Sequence, residues 1–226
     1  MNIQNLNCLL GNHFALSEIS FSALPGQVLS FVGRSGSGKS TLLRCLAGLE
    51  NYTVDQEQKS MHVGFVFQSS NLFPHLNLEK NIQLALKKVQ NKSVAEMNQI
   101  VDEVLTKVRL QHRRHHFPHQ MSGGEQQRGA MARALALKPE VMLYDEPTSA
   151  LDPELVDEVY DLMLELKKTN IIQIVVTHDR RALRRISDQV GYIDQGKLKM
   201  ICSFHALDLQ MKNLEIDQQK YLELYV

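Results

Sequence analysis

What this sequence lacks narrows it first. No run of apolar residues approaches the roughly twenty needed to span a bilayer, so the sequence predicts a soluble chain whose link to any membrane runs through a partner. Met1 to Leu10 has no basic flank ahead of a long apolar run and does not read as a signal peptide. Cysteine is scarce. Cys8, Cys45 and Cys202 are odd in number and scattered, which argues against a disulfide framework or a zinc spacing and suits a reducing cytosol. An excess of one charge is missing too: Lys plus Arg and Asp plus Glu both number 25, so no bulk charge directs the chain to nucleic acid or acidic lipid. What remains is 226 residues, 43% of them apolar, enough for one large domain or a core domain with a lobe.

Against that plain background one stretch stands out: Gly33-Arg34-Ser35-Gly36-Ser37-Gly38-Lys39-Ser40-Thr41. It follows the apolar run Val28 to Val32, with the length and residue types of a buried strand, and precedes the helix-forming Leu42 to Ala47. Strand, glycine-rich turn and helix are the context that a phosphate-binding loop requires. Glycines let the backbone turn tightly enough for several N–H groups to face one phosphate chain, and the helix that follows adds its positive end. Lys39 supplies a point charge for the outer phosphates, and the Ser40 hydroxyl is placed to ligate Mg²⁺. A glycine-rich linker would not need Gly38, Lys39 and Ser40 in that order.

The rest of the chain reads around this loop. Ile3 to Leu10 and Phe14 to Phe21 are short strands, with turns at Gly11-Asn12 and Pro25-Gly26. Asn51 to Ser60 is polar and turn-prone, and Met61 to Phe67 is a strand that ends at Gln68. From Leu78 to Arg109 the signal is helical, with Val94, Met97, Val101, Val104, Leu105 and Val108 on one core-facing stripe. His112, His115, His116 and His119 could hold a metal, but Arg113 and Arg114 beside them would repel a cation, and a solvated loop is the preferred reading. Ser122 and Glu125 form a capping-box pattern, and Gly123 and Gly124 leave bare N–H groups at a helix start, a second anion site. Taken alone, a capped helix would suffice. Val141 to Asp145-Glu146 is an apolar strand ending in two carboxylates, the place where a metal is held beside a phosphate loop. Asp152 and Pro153 open a further helix, with Leu155, Val159, Leu162 and Leu166 as its buried face. Ile171 to Val176 is another buried strand with His178 just past its end, and Gly191 to Met200 is a hairpin turning at Gln195-Gly196. Leu207 to Val226 carries no motif.

In that order, the phosphate loop, Gln68, Ser122–Gly124, Asp145-Glu146, Ser149–Asp152 and His178 resemble the ATPase subunit of ATP-binding cassette (ABC) transporters, from about residue 3 to residue 200. The resemblance implies an α/β fold: a P-loop NTPase core with a mostly parallel sheet, N-terminal antiparallel strands and an inserted helical subdomain. The core would take about 1–68 and 136–226, and the helical part about 69–135, of a single domain. It also implies roles. Gly33, Arg34, Ser35, Gly36, Ser37, Gly38, Lys39, Ser40 and Thr41 would hold the phosphates of ATP. Ser40, Gln68 and Asp145 would hold Mg²⁺, with Gln68 also reaching the attacking water and reporting nucleotide state to the membrane partner; Glu146 would be the general base, and His178 would contact the γ-phosphate. Ser122 and Gly124 would grip the γ-phosphate of ATP bound to a second copy or a paralogue, in a head-to-tail sandwich, and Gly123 and Asp152 would also bind nucleotide. Transmembrane permease subunits would be the other partners, with the chain peripheral on the cytoplasmic face of the membrane and no nucleic acid involved.

Four departures from the family's pattern stand in the sequence. Met121 replaces a leucine and Glu125 a glutamine in the motif around Ser122, and Leu10 stands where an aromatic residue usually stacks on adenine. The span from Thr41 to Gln68 is short, which predicts a reduced antiparallel sheet. Leu72-Phe73-Pro74-His75-Leu76 and Leu43-Arg44-Cys45 look like bacterial importers of polar amino acids. Exporters, lipoprotein-release ATPases, and cassettes of DNA repair or translation are the alternatives. The last usually carry coiled-coil insertions or paired cassettes, which this sequence lacks. A P-loop kinase would leave Ser122–Gly124 and Glu146 unexplained.

Overall fold

The computed structural model describes residues 1–11, 13–55 and 61–206. Part of the polar stretch read at Asn51 to Ser60, and the motif-free stretch Leu207 to Val226, lie outside them. β1 (Asn2–Leu10) and β2 (His13–Ser22) pair antiparallel, and β3 (Val28–Val32) leads through the glycine loop into α1 (Lys39–Leu46). β4 (Val63–Val66) follows, then α2 (Leu78–Gln90), α3 (Val94–Lys107) and α4 (Gly123–Leu135). β5 (Val141–Asp145), α5 (Pro153–Lys167), β6 (Ile172–Val176) and α6 (Arg180–Ile186) precede the hairpin β7 (Gln189–Asp194) and β8 (Lys197–Ser203).

The main sheet runs β4-β5-β6-β3-β7-β8, parallel except for β8. Period-two alternation splits its side chains between two cores. Val141, Leu143, Ile172, Ile174 and Val176 pack with β1, β2 and α1, while Met142, Tyr144 and Val175 pack with α2 to α6. Burial on both faces is why these strands are nearly continuous apolar runs. All three cysteines are buried, Cys8 and Cys45 in the first core. Parallel pairing puts the carboxyl ends of β3, β4, β5 and β6 along one side of the sheet, where their loops can share a site.

The helical stretch from Leu78 to Arg109 is built of two helices. Asn91 ends α2 in a left-handed conformation (φ 49°), and Ser93 caps α3 with a full capping box to Glu96. Val94 therefore falls in the first turn of α3 and is 68% exposed, off the buried stripe of Met97, Val101, Val104, Leu105 and Val108. β4 is also shorter than the strand read from Met61 to Phe67. Beside the two-stranded β1–β2 sheet, the described residues before β4 contribute one bridge, Asn7 to Thr53. Among the described residues no cluster of histidines and acids forms a metal site.

Candidate functional site

The loop after β3 is shaped by glycine where its neighbours come too close for a side chain. A Cβ on Gly33 would lie 2.0 Å from the Ile193 carbonyl oxygen. A Cβ on Gly38 would lie 2.9 Å from the Ala15 carbonyl oxygen, and φ of 106° disfavours any other residue there. Gly38 caps α1 with no side chain on the helix's first N–H groups. Those groups open onto a cleft of about 510 Å³. Ser35, Gly36, Gly38, Lys39, Ser40 and Thr41 line it from the loop, with Glu146 and His178 on the sheet side.

Lys39 is 5% exposed, and its ammonium turns back to donate to the carbonyls of Gly33 (2.7 Å) and Arg34 (2.9 Å). Burial lowers its pKa, against the pull of Glu146 and Asp145. The Ser40 hydroxyl donates to Asp145 Oδ1 at 2.9 Å. Burial raises the pKa of Asp145; the Ser40 hydroxyl opposes that shift and the Glu146 charge adds to it. A hydroxyl and a carboxylate oxygen so close together are a hard-oxygen donor pair of the kind Mg²⁺ takes.

Glu146 follows the end of β5 in a left-handed backbone conformation (φ 48°) and donates its N–H to the Val176 carbonyl at 2.8 Å. That bond ties it to the end of β6, from which His178 projects. His178 Nε2 lies 3.0 Å from Glu146 Oε1. Burial, then the Lys39 charge, lower the histidine's pKa, while Glu146 raises it. The net shift is downward, so burial and Lys39 together outweigh the attraction of Glu146 for a proton on the imidazole.

The structure thus brings Asp145, Glu146 and His178 to the phosphate loop, and leaves other expected residues apart. Gln68 lies exposed beyond β4 and does not line the cleft. Nor do Ser122, Gly123, Gly124 or Asp152. Ser122 caps α4 as read, its Oγ accepting from the Glu125 N–H and its N–H donating to Glu125 Oε2. Ser122 and Gly123 are exposed, and the start of α4 packs against Leu151 and Leu155. Asp152 is the N-cap residue of α5, but its side chain makes no capping bond. Sequence reasoning missed Gln195 and Gly196, which line the cleft from the β7–β8 turn. Gly196 donates to the Ser37 carbonyl at 3.0 Å, which ties that turn to the phosphate loop. The turn was legible in the sequence, but its place against a loop some 160 residues earlier was not.

A family model described as "ABC transporter" matches residues 16–149, which contain the phosphate loop, Ser122–Gly124 and the Asp145-Glu146 pair. The chain belongs to the ABC transporter family. It is 40% identical over 213 residues to the glutamine transport ATP-binding protein GlnQ of Bacillus subtilis (strain 168), covering 88% of each chain. It is 38% identical to the arginine transport ATP-binding protein ArtM of the same organism, over 88% of this chain and 89% of that one. The glutamate transport ATP-binding protein GluA of Corynebacterium efficiens is 41% identical over 199 residues, 81% of this chain and 82% of that protein. Among solved structures, the ATP-binding cassette MJ0796, dimeric in a post-hydrolysis state with ADP and Pi, superimposes with a TM-score of 0.76 at 29% identity, over 90% of this chain and 98% of that one. The fold is therefore the ABC cassette that the motif order implied, and the chain is an ABC ATPase.

Proposed function

We propose that this chain is the ATP-hydrolysing subunit of a bacterial importer of polar amino acids. The observation that carries the ATPase reading is the convergence of the phosphate loop, Glu146 and His178 on one cleft, with Asp145 bonded to the loop's Ser40 beside it. The glutamine, arginine and glutamate transport relatives support the substrate class. Backbone N–H groups from Gly33 to Thr41 bind the phosphates, and Lys39 leaves its two loop carbonyls to contact the outer ones. Ser40 and Asp145 would hold Mg²⁺, which would neutralise phosphate charge, and Gln68, outside the cleft in this structure, would join them only by moving in. Glu146 takes the proton of the attacking water, and His178 fixes the carboxylate and contacts the γ-phosphate. The segment 69–135 forms a helical lobe on the core made by 1–68 and 136–226.

One copy does not complete the site, because Ser122–Gly124 and Asp152 lie outside the cleft. Two copies, or one and a paralogue, sandwich two ATP molecules so that the head of α4 in each grips the other's γ-phosphate. The dimeric cassettes among the structural neighbours support this. Among the described residues no helix is long and apolar enough to cross a membrane, so attachment at its cytoplasmic face falls to permease subunits.

Glu146→Gln is the test. General-base catalysis is worth about 10²–10⁴-fold, so turnover should fall by that range while Mg-ATP still binds. Light scattering should show a doubled mass for this variant with Mg-ATP. Near-normal hydrolysis would remove Glu146 from its role. A permease that fails to co-purify with the chain, while ribosomes or DNA do, would overturn the importer.

A further inference from the structure

Glu125, the third residue of α4, divides its carboxylate between two donors. Oε2 accepts the Ser122 N–H at 2.9 Å, and Oε1 accepts the Arg113 Nε–H at 2.8 Å, with His112 Nε2 3.6 Å away. The Glu125 side chain is only 13% exposed. Arg113 is presented by the short turn Gln111–Arg113, which is itself anchored. The next residue, Arg114, donates to Glu79 of α2 at 2.9 and 2.6 Å and pairs with Asp102 of α3. The carbonyls of Arg114 and His116 accept the N–H groups of Glu79 and Leu78 at the start of α2.

The acid stands in an awkward place. A carboxylate in the first turn stabilises a helix. Yet this one sits at the helix end that, in the function proposed above, must receive a triphosphate. Burial opposes its ionisation, but the Ser122 N–H and the Arg113 guanidinium outweigh that and hold its pKa below the usual carboxylate value. Glu125 is therefore charged at neutral pH, and only a paired cation cancels that charge.

We propose that Arg113 is a positioning residue for the ATP sandwich: it neutralises Glu125 and fixes it against Ser122, so that the head of α4 remains an anion site despite the acid it carries. This rests on the reading that Ser122 and Gly124 act on the nucleotide of a second copy.

Self-association with Mg-ATP, measured in the Glu146→Gln background, tests it. Arg113→Ala should leave ATP binding to one chain intact and weaken ATP-driven association by roughly ten- to thirtyfold, as an unpaired charge several ångströms from phosphate would. Adding Glu125→Gln to Arg113→Ala should return association to the level of Glu125→Gln alone, because the charge that needed cancelling is gone. A merely structural Arg113 would show no such rescue. Unchanged association in Arg113→Ala, or a double variant as weak as Arg113→Ala, overturns the proposal. If the Glu146→Gln parent binds ATP but never associates, the sandwich reading fails and this inference falls with it.

Discussion

The base pocket is decided by single side chains. Leu10 has no aromatic face, but Phe14, 65% exposed, lines the same cleft from β2. We expect Phe14 to stack on the nucleobase. A stacked base is worth about 1–3 kcal/mol on alanine substitution, so Phe14→Ala should weaken ATP binding roughly ten- to a hundredfold. Every base has a π-face, so ATP and GTP should bind comparably before and after the change. Titration of both nucleotides checks this; unchanged ATP affinity in Phe14→Ala, with tighter binding in Leu10→Tyr, would assign the contact to Leu10 instead. The motif residues were legible in the sequence because glycines, Lys39 and strand-end acids have few other uses in that order. The Glu146–His178 contact was not, because it depends on β5 and β6 being neighbours, which strand order along the chain leaves open.

At the scale of the element, α6 starts on a polar chain. Asp179 accepts the Arg181 N–H at 2.8 Å as N-cap and the Tyr160 hydroxyl at 2.7 Å. Burial works against its ionisation, but these bonds and the Arg181 charge win, and its pKa lies below the usual value. A carboxyl with a depressed folded pKa stabilises the fold above the unfolded value of about 3.9, and that contribution disappears as pH falls through the folded value. Asp179→Asn should therefore melt below the parent at pH 7, and the gap should narrow as pH falls below the unfolded carboxylate value and vanish once pH is below the folded one. A gap independent of pH would mean that the charge is irrelevant. Element boundaries were the less legible part of the fold. The apolar period of Met97 to Val108 carried through, but Ser93-Val94-Ala95-Glu96 is itself a capping box, and it marked the break between α2 and α3 that the helical reading of the whole stretch passed over. The turn at Gln111–Arg113 had no such signal. Its arginines read as solvated because their acids, Glu79, Asp102 and Glu125, lie on three different helices.

For the molecule as a whole, the parallel sheet gathers its chemistry at one side and buries the apolar face of the helix that runs back from it. α1 leaves the phosphate loop and carries Cys45 into the core, where burial and the neighbouring Cys8 thiol push the Cys45 thiol up to about 12. At pH 7 such a thiol is overwhelmingly protonated, and alkylating reagents react with thiolates. Cys45 thus becomes a built-in clock for how often the cassette breathes open, since it can be labelled only in chains that have exposed it. Pulsed alkylation read by mass spectrometry should mark Cys45 at the rate of opening. Nucleotide at about 100 times its dissociation constant should slow that clock about a hundredfold, because bound phosphates hold the loop from which α1 departs. Labelling as fast as in urea would mean that α1 does not stay shut. An ATPase assay counts completed turnovers; this thiol would count the openings in a chain that has not turned over at all.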